Sequence, residues 1–533
     1  MKILGKNKLY IIMLFALMLV LGGCSSDSPE TSEEKNDTKA GEETKKGGGE
    51  LRVALSAQPP TLDQPTSTST STRDIARLMF ETLLTTNSKF QPVPMLAESV
   101  DVSDDSKSYT FNLRKGVKFH NGKEMTSDDV VASMNRWLEK SSITGSIFTD
   151  ATFEAKDDYT VTLELAKPSA LALDTMASAK MAAAIMPKEI VEAATAEAGV
   201  SEYIGTGPFE IVEWKTDQYI HFTKYDDYQA VEGEADGLSG NKEALIDDLY
   251  FDFVGDAATR LAGLQTGEYD IAYAMQYDGY NRLLEDSDMN PVLEKVGEVV
   301  LVYNKVQGPA SNVKMRQAIN ASLDVNEIMF GGFTNEDIYW LDSGYMTRDI
   351  ENWRSEAGSE FYNENDPEKA KKLLKEIGYN NEEFKLMTTR DYPHLYNAAV
   401  VIQDQLTKIG VNVKLEVFDW PTLSEKQNKP GDWDAFITTF GTVTTPTQLL
   451  AVSPTYGLGV QDDTILDLAE KIGTSSTHEE AKQLWDELQG YAWEKHMPIS
   501  ILGGFNTLYG ETSKVKGFNT FQGAVFWNVE IEE

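Results

Sequence analysis

Residues 384–418 narrow the choice of fold more than any other stretch of this 533-residue chain. FKLMTT (384–389) reads as a strand, LYNAAVVIQDQLTKI as a helix closed by Gly410, and VNVKLEVF (411–418) as a second strand. In that second strand Val411, Val413, Leu415 and Val417 alternate with polar residues. Strand, helix and strand with short joins form a βαβ unit, because parallel neighbours need a long crossover rather than a hairpin turn. Part of the molecule is therefore an α/β sheet with helices packed on it. The preceding helix, EKAKKLLKEI, begins at Asp366-Pro367, with Asp as N-cap and Pro at the first helical position, and stops at Gly378. WDAFITTF (433–440) supplies a further strand.

The first half is less regular. LRVAL (51–55) is a short strand before the breaker Gln58-Pro59-Pro60. TSTSTST (66–72) is a polar loop leading into RDIARLMFETLL, where Ile75, Met79 and Leu83 recur at helical spacing. SYTFNL (108–113) and VKF (117–119) read as two strands around Arg114-Lys115-Gly116. In TSDDVVASMNRWLEK, Thr126 with Asp129 makes a capping box, and Val130, Met134 and Trp137 line one helix face. YTVTLEL (159–165) alternates as a strand.

At the N-terminus, Lys2, Lys6 and Lys8 precede the uncharged apolar run LYIIMLFALMLVL (9–21), and two glycines then lead to Cys24. A basic head, a short apolar run and small residues describe a signal peptide over residues 1–23. The run is shorter than the roughly 20 apolar residues that span a bilayer. The chain is thus expected to be exported. Cys24 is the single cysteine, so the body holds no internal disulfide and rests on an apolar core, for which 41% hydrophobic residues suffice. Residues 25–50 contain no large apolar side chain and read as a flexible tether. The formal charge of −37 at pH 7 argues against nucleic acid and anionic lipid surfaces as partners.

Motifs for catalysis are missing. The 5 histidines form no H-E-x-x-H and no zinc-spaced pair. No G-x-S-x-G elbow occurs, and Gly205-Thr206-Gly207 and Gly457-Leu458-Gly459 do not complete a G-x-G-x-x-G. Neither a cofactor nor a metal is expected. The 85 acidic residues leave a glycosidase-type carboxylate pair open, and with it a secreted glycan hydrolase as an alternative.

An ordered set of short motifs carries a resemblance. PPTLD (59–63), FETLL (80–84), LAESV (96–100), YTFNLRKGVKFHNGKEMTSDDVVAS (109–133), IGTGPFEIVEW (204–214), TGEYDIA (266–272), VYNK (302–305), MRQAINASLD (315–324) and DPEKAKKLLKEIGY (366–379) resemble, in order, the family 5 extracellular solute-binding proteins. These are the peptide/nickel-type receptors of ABC importers, and the resemblance spans roughly residues 51–530. It implies an α/β, two-lobed clamshell of the type II periplasmic-binding-protein kind with an inserted subdomain. Lobe I would comprise 51–86, 201–298 and 506–533, the insertion 87–200, and lobe II 299–505. It also implies a monomer that binds a small molecule, a peptide first and an oligosaccharide as the alternative, and that docks on an ABC permease and ATPase complex. Gly205 and Gly207 would allow backbone turns where the chain crosses between lobes.

The ligand-binding residues implied by the resemblance are Thr68 and Thr70 in the polar loop, Asp419 and Trp420 after the 411–418 strand, and Thr439, Phe440, Gly441 and Thr442 at a strand end. Peptide-binding relatives carry an aspartate for the peptide's α-ammonium where this chain has Thr442, and residues 441–449 hold no acid. Either another carboxylate such as Asp419 takes that role, or the ligand presents no amine there. Trp420 serves equally well as core packing. Nickel is disfavoured because these loops contain no histidine. Leu21-Gly22-Gly23-Cys24 resembles a lipobox, which implies cleavage before Cys24, diacylglycerol on its sulfur and further acylation, such as palmitate, so that residues 24–50 act as a membrane leash.

Overall fold

In the computed structural model, which describes residues 48–145, 147–195, 199–431 and 433–532, the βαβ unit closes as its sequence requires. Glu383–Thr389 and Asn412–Phe418 pair in parallel, with Leu386 opposite Leu415, and Pro393–Lys408 is the crossover helix. Ala435–Gly441 joins the other side of Glu383–Thr389, again in parallel. The signal peptide, Cys24 and the tether up to residue 47 lie outside the described residues.

These three strands begin an 11-stranded sheet among the described residues. From Ala435–Gly441 it continues through the long strands Met289–Tyr303 and Ile499–Thr512. Beyond them follow Ile271–Ala272, Glu50–Leu55, Asp248–Phe253, Tyr219–Lys224 and Phe209–Lys215, and Tyr339–Trp340 adds to Ile499–Thr512 off this path. The two long strands pair antiparallel along nearly their whole length, with register shifts at Lys295/Gly297 and Val299/Val300. A second, four-stranded sheet runs in the order Ala97–Val102, Ser108–Leu113, Thr160–Glu164, Thr152–Asp157. Against it packs the helix Ser127–Lys140, whose capping box is formed and whose Val130, Met134 and Trp137 are buried as expected.

Among the described residues, two large apolar cores and a small third cluster around Trp527 fill the body. One large core surrounds Leu51, Phe209, Ile220, Phe251 and Phe526. The other runs from Phe111 and Trp137 under the small sheet to Leu301, Ile437, Ile402 and Trp485. Between the polar loop and the small sheet's helix, Arg136 donates to both oxygens of Asp63, at 2.8 and 2.5 Å, with both side chains buried. Such a pair costs desolvation on both sides and holds only because its geometry is bidentate.

Three expectations need correction. The helix read into RDIARLMFETLL is only Thr70–Ala76. It stops because residues 78–79 bond across to another segment: Gly207 N–H donates to the Met79 carbonyl at 2.9 Å and Phe209 N–H to that of Leu78 at 3.1 Å. That approach, rather than a turn, is what Gly205 and Gly207 provide. A Cβ would stand 1.9 Å from the Met79 oxygen at Gly205 and 2.4 Å from the Leu78 oxygen at Gly207. VKF (117–119) belongs to no sheet; its backbone closes on itself through Phe119 N–H to Lys123 O and Met125 N–H to Val117 O.

Candidate functional site

The three parallel strands Glu383–Thr389, Asn412–Phe418 and Ala435–Gly441 all end toward one region, the place where open α/β sheets bind ligands. Tyr392 follows the first strand, Trp420 the second, and Thr439 and Gly441 terminate the third. Two cavities of about 750 and 650 Å³ meet at Tyr392, Trp420 and Thr439. Tyr392 and Trp420 stand edge to face at 5.3 Å between centroids. Trp420 is fixed by its backbone N–H, which donates to Asp391 Oδ2 at 2.7 Å.

The larger cavity is walled by aromatic rings. His394 stacks on Phe333 at 5.2 Å and on Phe505 at 5.9 Å, and Tyr277 meets Phe333 edge-on at 5.0 Å. Burial pulls the His394 pKa down to about 4, so at neutral pH the ring is an uncharged aromatic surface. Arg260 also borders this cavity, but its guanidinium is spent on the carbonyls of Val254, Gly255, Tyr273 and Ala274.

Hydroxyls and charges line the smaller cavity. Ser67, Thr68, Ser69 and Thr70 form one wall, and Gly441, Thr442 and Trp340 contribute to others. The hydroxyl wall is braced from behind by Ser67 Oγ to Thr72 Oγ1 at 3.1 Å and Thr72 Oγ1 to the Thr61 carbonyl at 2.6 Å. Arg73 pairs with Asp74 at 2.6 Å and faces Glu294 at 3.7 Å. Burial alone would lower the Arg73 pKa, but Asp74 and Glu294 outweigh it and raise the pKa instead. Tyr509 donates to the other oxygen of Glu294. Lys295 pairs with Asp349 at 2.6 Å. Among the described residues, no group of three or more His, Cys, Asp or Glu is arranged to hold a metal ion.

Of the eight ligand-binding residues expected from the sequence, Thr68, Thr70, Trp420, Thr439, Gly441 and Thr442 border the smaller cavity. The alternation of the strand Ala435–Gly441 turns Phe440 away, buried against Tyr456 at 5.6 Å. Asp419 borders neither cavity. It is the N-cap of Trp420–Lys426 and accepts from Thr422 N–H at 2.9 Å, a bond that lowers its pKa. Thr442 is itself committed to backbone, its N–H and hydroxyl both donating to the Val296 carbonyl at 2.8 and 3.0 Å. Lys180, Glu294, Trp340, Tyr392 and His394 escaped the sequence reading. They come from distant segments, and of these only DYPH (391–394), directly after a strand of the βαβ unit, carried a signal that could have pointed to them.

The chain matches known proteins over most of its length. The family model described as bacterial extracellular solute-binding proteins, family 5 Middle, covers residues 91–457. A probable peptide ABC transporter periplasmic-binding protein of Sinorhizobium fredii is 30% identical over 80% of this chain and 83% of its own. The oligopeptide-binding protein AppA of Bacillus subtilis is 28% identical over 83% of this chain and 82% of its own. Among solved structures, the periplasmic binding protein AgaA of A. tumefaciens R10 with agropinic acid superposes with a TM-score of 0.73 at 26% identity, covering 91% of this chain and 99% of AgaA. The substrate-binding protein CtaP of Listeria monocytogenes gives 0.80 at 22% identity, covering 92% of this chain and 100% of CtaP. The fold is therefore the two-lobed clamshell, and these relatives are substrate-binding proteins, not enzymes.

Proposed function

The chain belongs to the bacterial extracellular solute-binding proteins of family 5, and from that premise we propose that it is a lipid-anchored, monomeric receptor whose ligand is a peptide. It is a solute-binding protein of an ABC transporter that acts outside the cytoplasm and delivers a small ligand to the permease, and it is not an enzyme. The peptide reading is carried by the pair of joined cavities. One offers neutral aromatic walls for apolar side chains, and the other offers hydroxyls and charges for a polar backbone and its ends. The peptide-binding relatives point the same way. The proposed lobes are 51–86 with 201–298 and 506–533, and 299–505, with 87–200 inserted; the ligand would lie where the cavities meet. An oligosaccharide or other hydroxyl-rich ligand is the second reading, favoured by the Ser/Thr wall and by the likeness to a protein solved with agropinic acid.

Isothermal titration of the mature protein with defined di- to octapeptides tests the reading, with saturable binding and a raised melting temperature as the expected result. Stabilisation by oligosaccharides with none by peptides would replace it with the second reading. For the anchor, Cys24→Ala is expected to leave the protein unprocessed or released into the medium. Normal processing with retention at the membrane would refute lipidation.

A further inference from the structure

Among the charged side chains that line the smaller cavity, one cation stands unpaired. Those side chains are Arg73, Lys180, Glu294, Lys295 and Asp349. Arg73 is answered by Asp74 and Glu294, and Lys295 by Asp349. Among the described residues, the Lys180 ammonium has no ion pair and no side-chain hydrogen bond; only its backbone N–H is engaged, donating to Ser178 Oγ at 3.3 Å. In a chain of formal charge −37, a partly buried lysine left unanswered inside a cavity is not a by-product of composition. Desolvation lowers its pKa, with no neighbouring carboxylate to oppose the shift.

The turn that carries Lys180 is fixed from behind. The Met181 carbonyl accepts from Trp137 Nε1 at 2.9 Å, and its sulfur accepts from Ser142 Oγ at 3.2 Å. Met181 itself sits at φ +48°, a left-handed conformation that is unfavourable for a residue with a side chain and persists only where the surroundings impose it. Two further polar groups of the cavity are buried without a hydrogen-bond partner among the described residues, Gln64 Oε1 and Thr347 Oγ1. A cation carried on a fixed turn, in the same cavity as an unused carbonyl and an unused hydroxyl, describes a receptor for an anionic group that also offers hydrogen bonds.

We propose that Lys180 is the anchor for a carboxylate of the ligand and that it makes the receptor select acidic over neutral ligands. The inference rests on the reading of this cavity as the peptide site, and the carboxylate is either the C-terminus or an acidic side chain. It also answers the missing acid at residues 441–449: the fixed electrostatic contact in this cavity is made to the ligand's negative end.

The test is a set of matched peptides bound to the mature protein: free acid, C-terminal amide, and amides carrying Glu or Gln at one side chain. The free acid or the Glu amide should bind about tenfold to a hundredfold tighter than its neutral counterpart, as expected for a charged hydrogen bond in a partly buried site. Lys180→Met should erase that difference, and Lys180→Arg should keep it. Lys180→Met should not lower the melting temperature of the ligand-free protein, because it removes a desolvated charge without a partner. Whichever matched pair loses its difference identifies the source of the carboxylate. Equal binding of acid and neutral forms by the wild type, or a preference that survives Lys180→Met, overturns the anchor while leaving the peptide receptor intact. Failure of every peptide to bind overturns the peptide reading itself, and the anchor with it.

Discussion

Asp419 and Lys180 show how far charge alone misleads at the residue scale. Asp419 stands beside Trp420 in sequence, where a counter-charge for a ligand amine would be placed, yet its carboxylate is used by the backbone as a helix cap. Removing a capping carboxylate leaves a helix N–H without its partner. Asp419→Ala is therefore expected to lower the urea unfolding midpoint modestly and to leave the preference between free and N-acetylated peptides unchanged. A loss of preference for free N-termini would return Asp419 to the ligand. Lys180 lies in SAKMAAA, a stretch with no pattern to mark it. It becomes visible only when the fold sets it among charges that are already paired.

At the scale of elements, close approach governs where the sequence pattern fails. Ile75, Met79 and Leu83 have helical spacing, but Leu78 and Met79 give their carbonyls to Phe209 and Gly207, and the helix ends at Ala76. Gly207→Ala would press a Cβ against the Leu78 carbonyl, a backbone atom that cannot swing aside. We expect a loss of about 1–3 kcal/mol, read as a fall in the urea midpoint, with peptide affinity preserved in the folded fraction. An unchanged midpoint would show that the two segments separate freely. The βαβ unit, the capped helices at Asp366 and Thr126 and the alternating strands were legible because each is specified by neighbours a few residues apart. The pairing of Met289–Tyr303 with Ile499–Thr512 was not, because some 200 residues separate the two strands and nothing local encodes their register. The site was half legible for the same reason: strand-end residues announce themselves, while side chains arriving from other segments do not.

Contacts between the segment 97–176 and the segment 444–478 would bear on any opening and closing of the whole clamshell around a ligand. Ala170 N–H donates to the Ser475 carbonyl at 2.8 Å and Ser106 Oγ to that of Ser476 at 3.0 Å. Lys167 pairs with Glu470 at 2.8 Å, but both are exposed, and such a pair contributes little. His478 differs. Its Nε2 lies 3.3 Å from the buried carboxylate of Asp174, its ring packs on Trp353 at 5.8 Å, and the Asp174 carboxylate raises its pKa although burial opposes this. A histidine whose pKa is raised in the folded state binds its proton more tightly there. Its contribution is fully present below the ordinary value near 6.5 and is lost as pH rises through the raised value. With His478 half exposed, solvent screening keeps that contribution below about 1 kcal/mol. His478→Gln should therefore lower the melting temperature of the ligand-free protein at pH 5.5 and leave it unchanged at pH 8.5. If the contact bridges the two sides of the clamshell, small-angle scattering should also show a larger radius of gyration for the variant at the lower pH only. An equal effect of the substitution at both pH values would mean that His478 acts through packing on Trp353, and the ion pair would have no part in holding the two segments together.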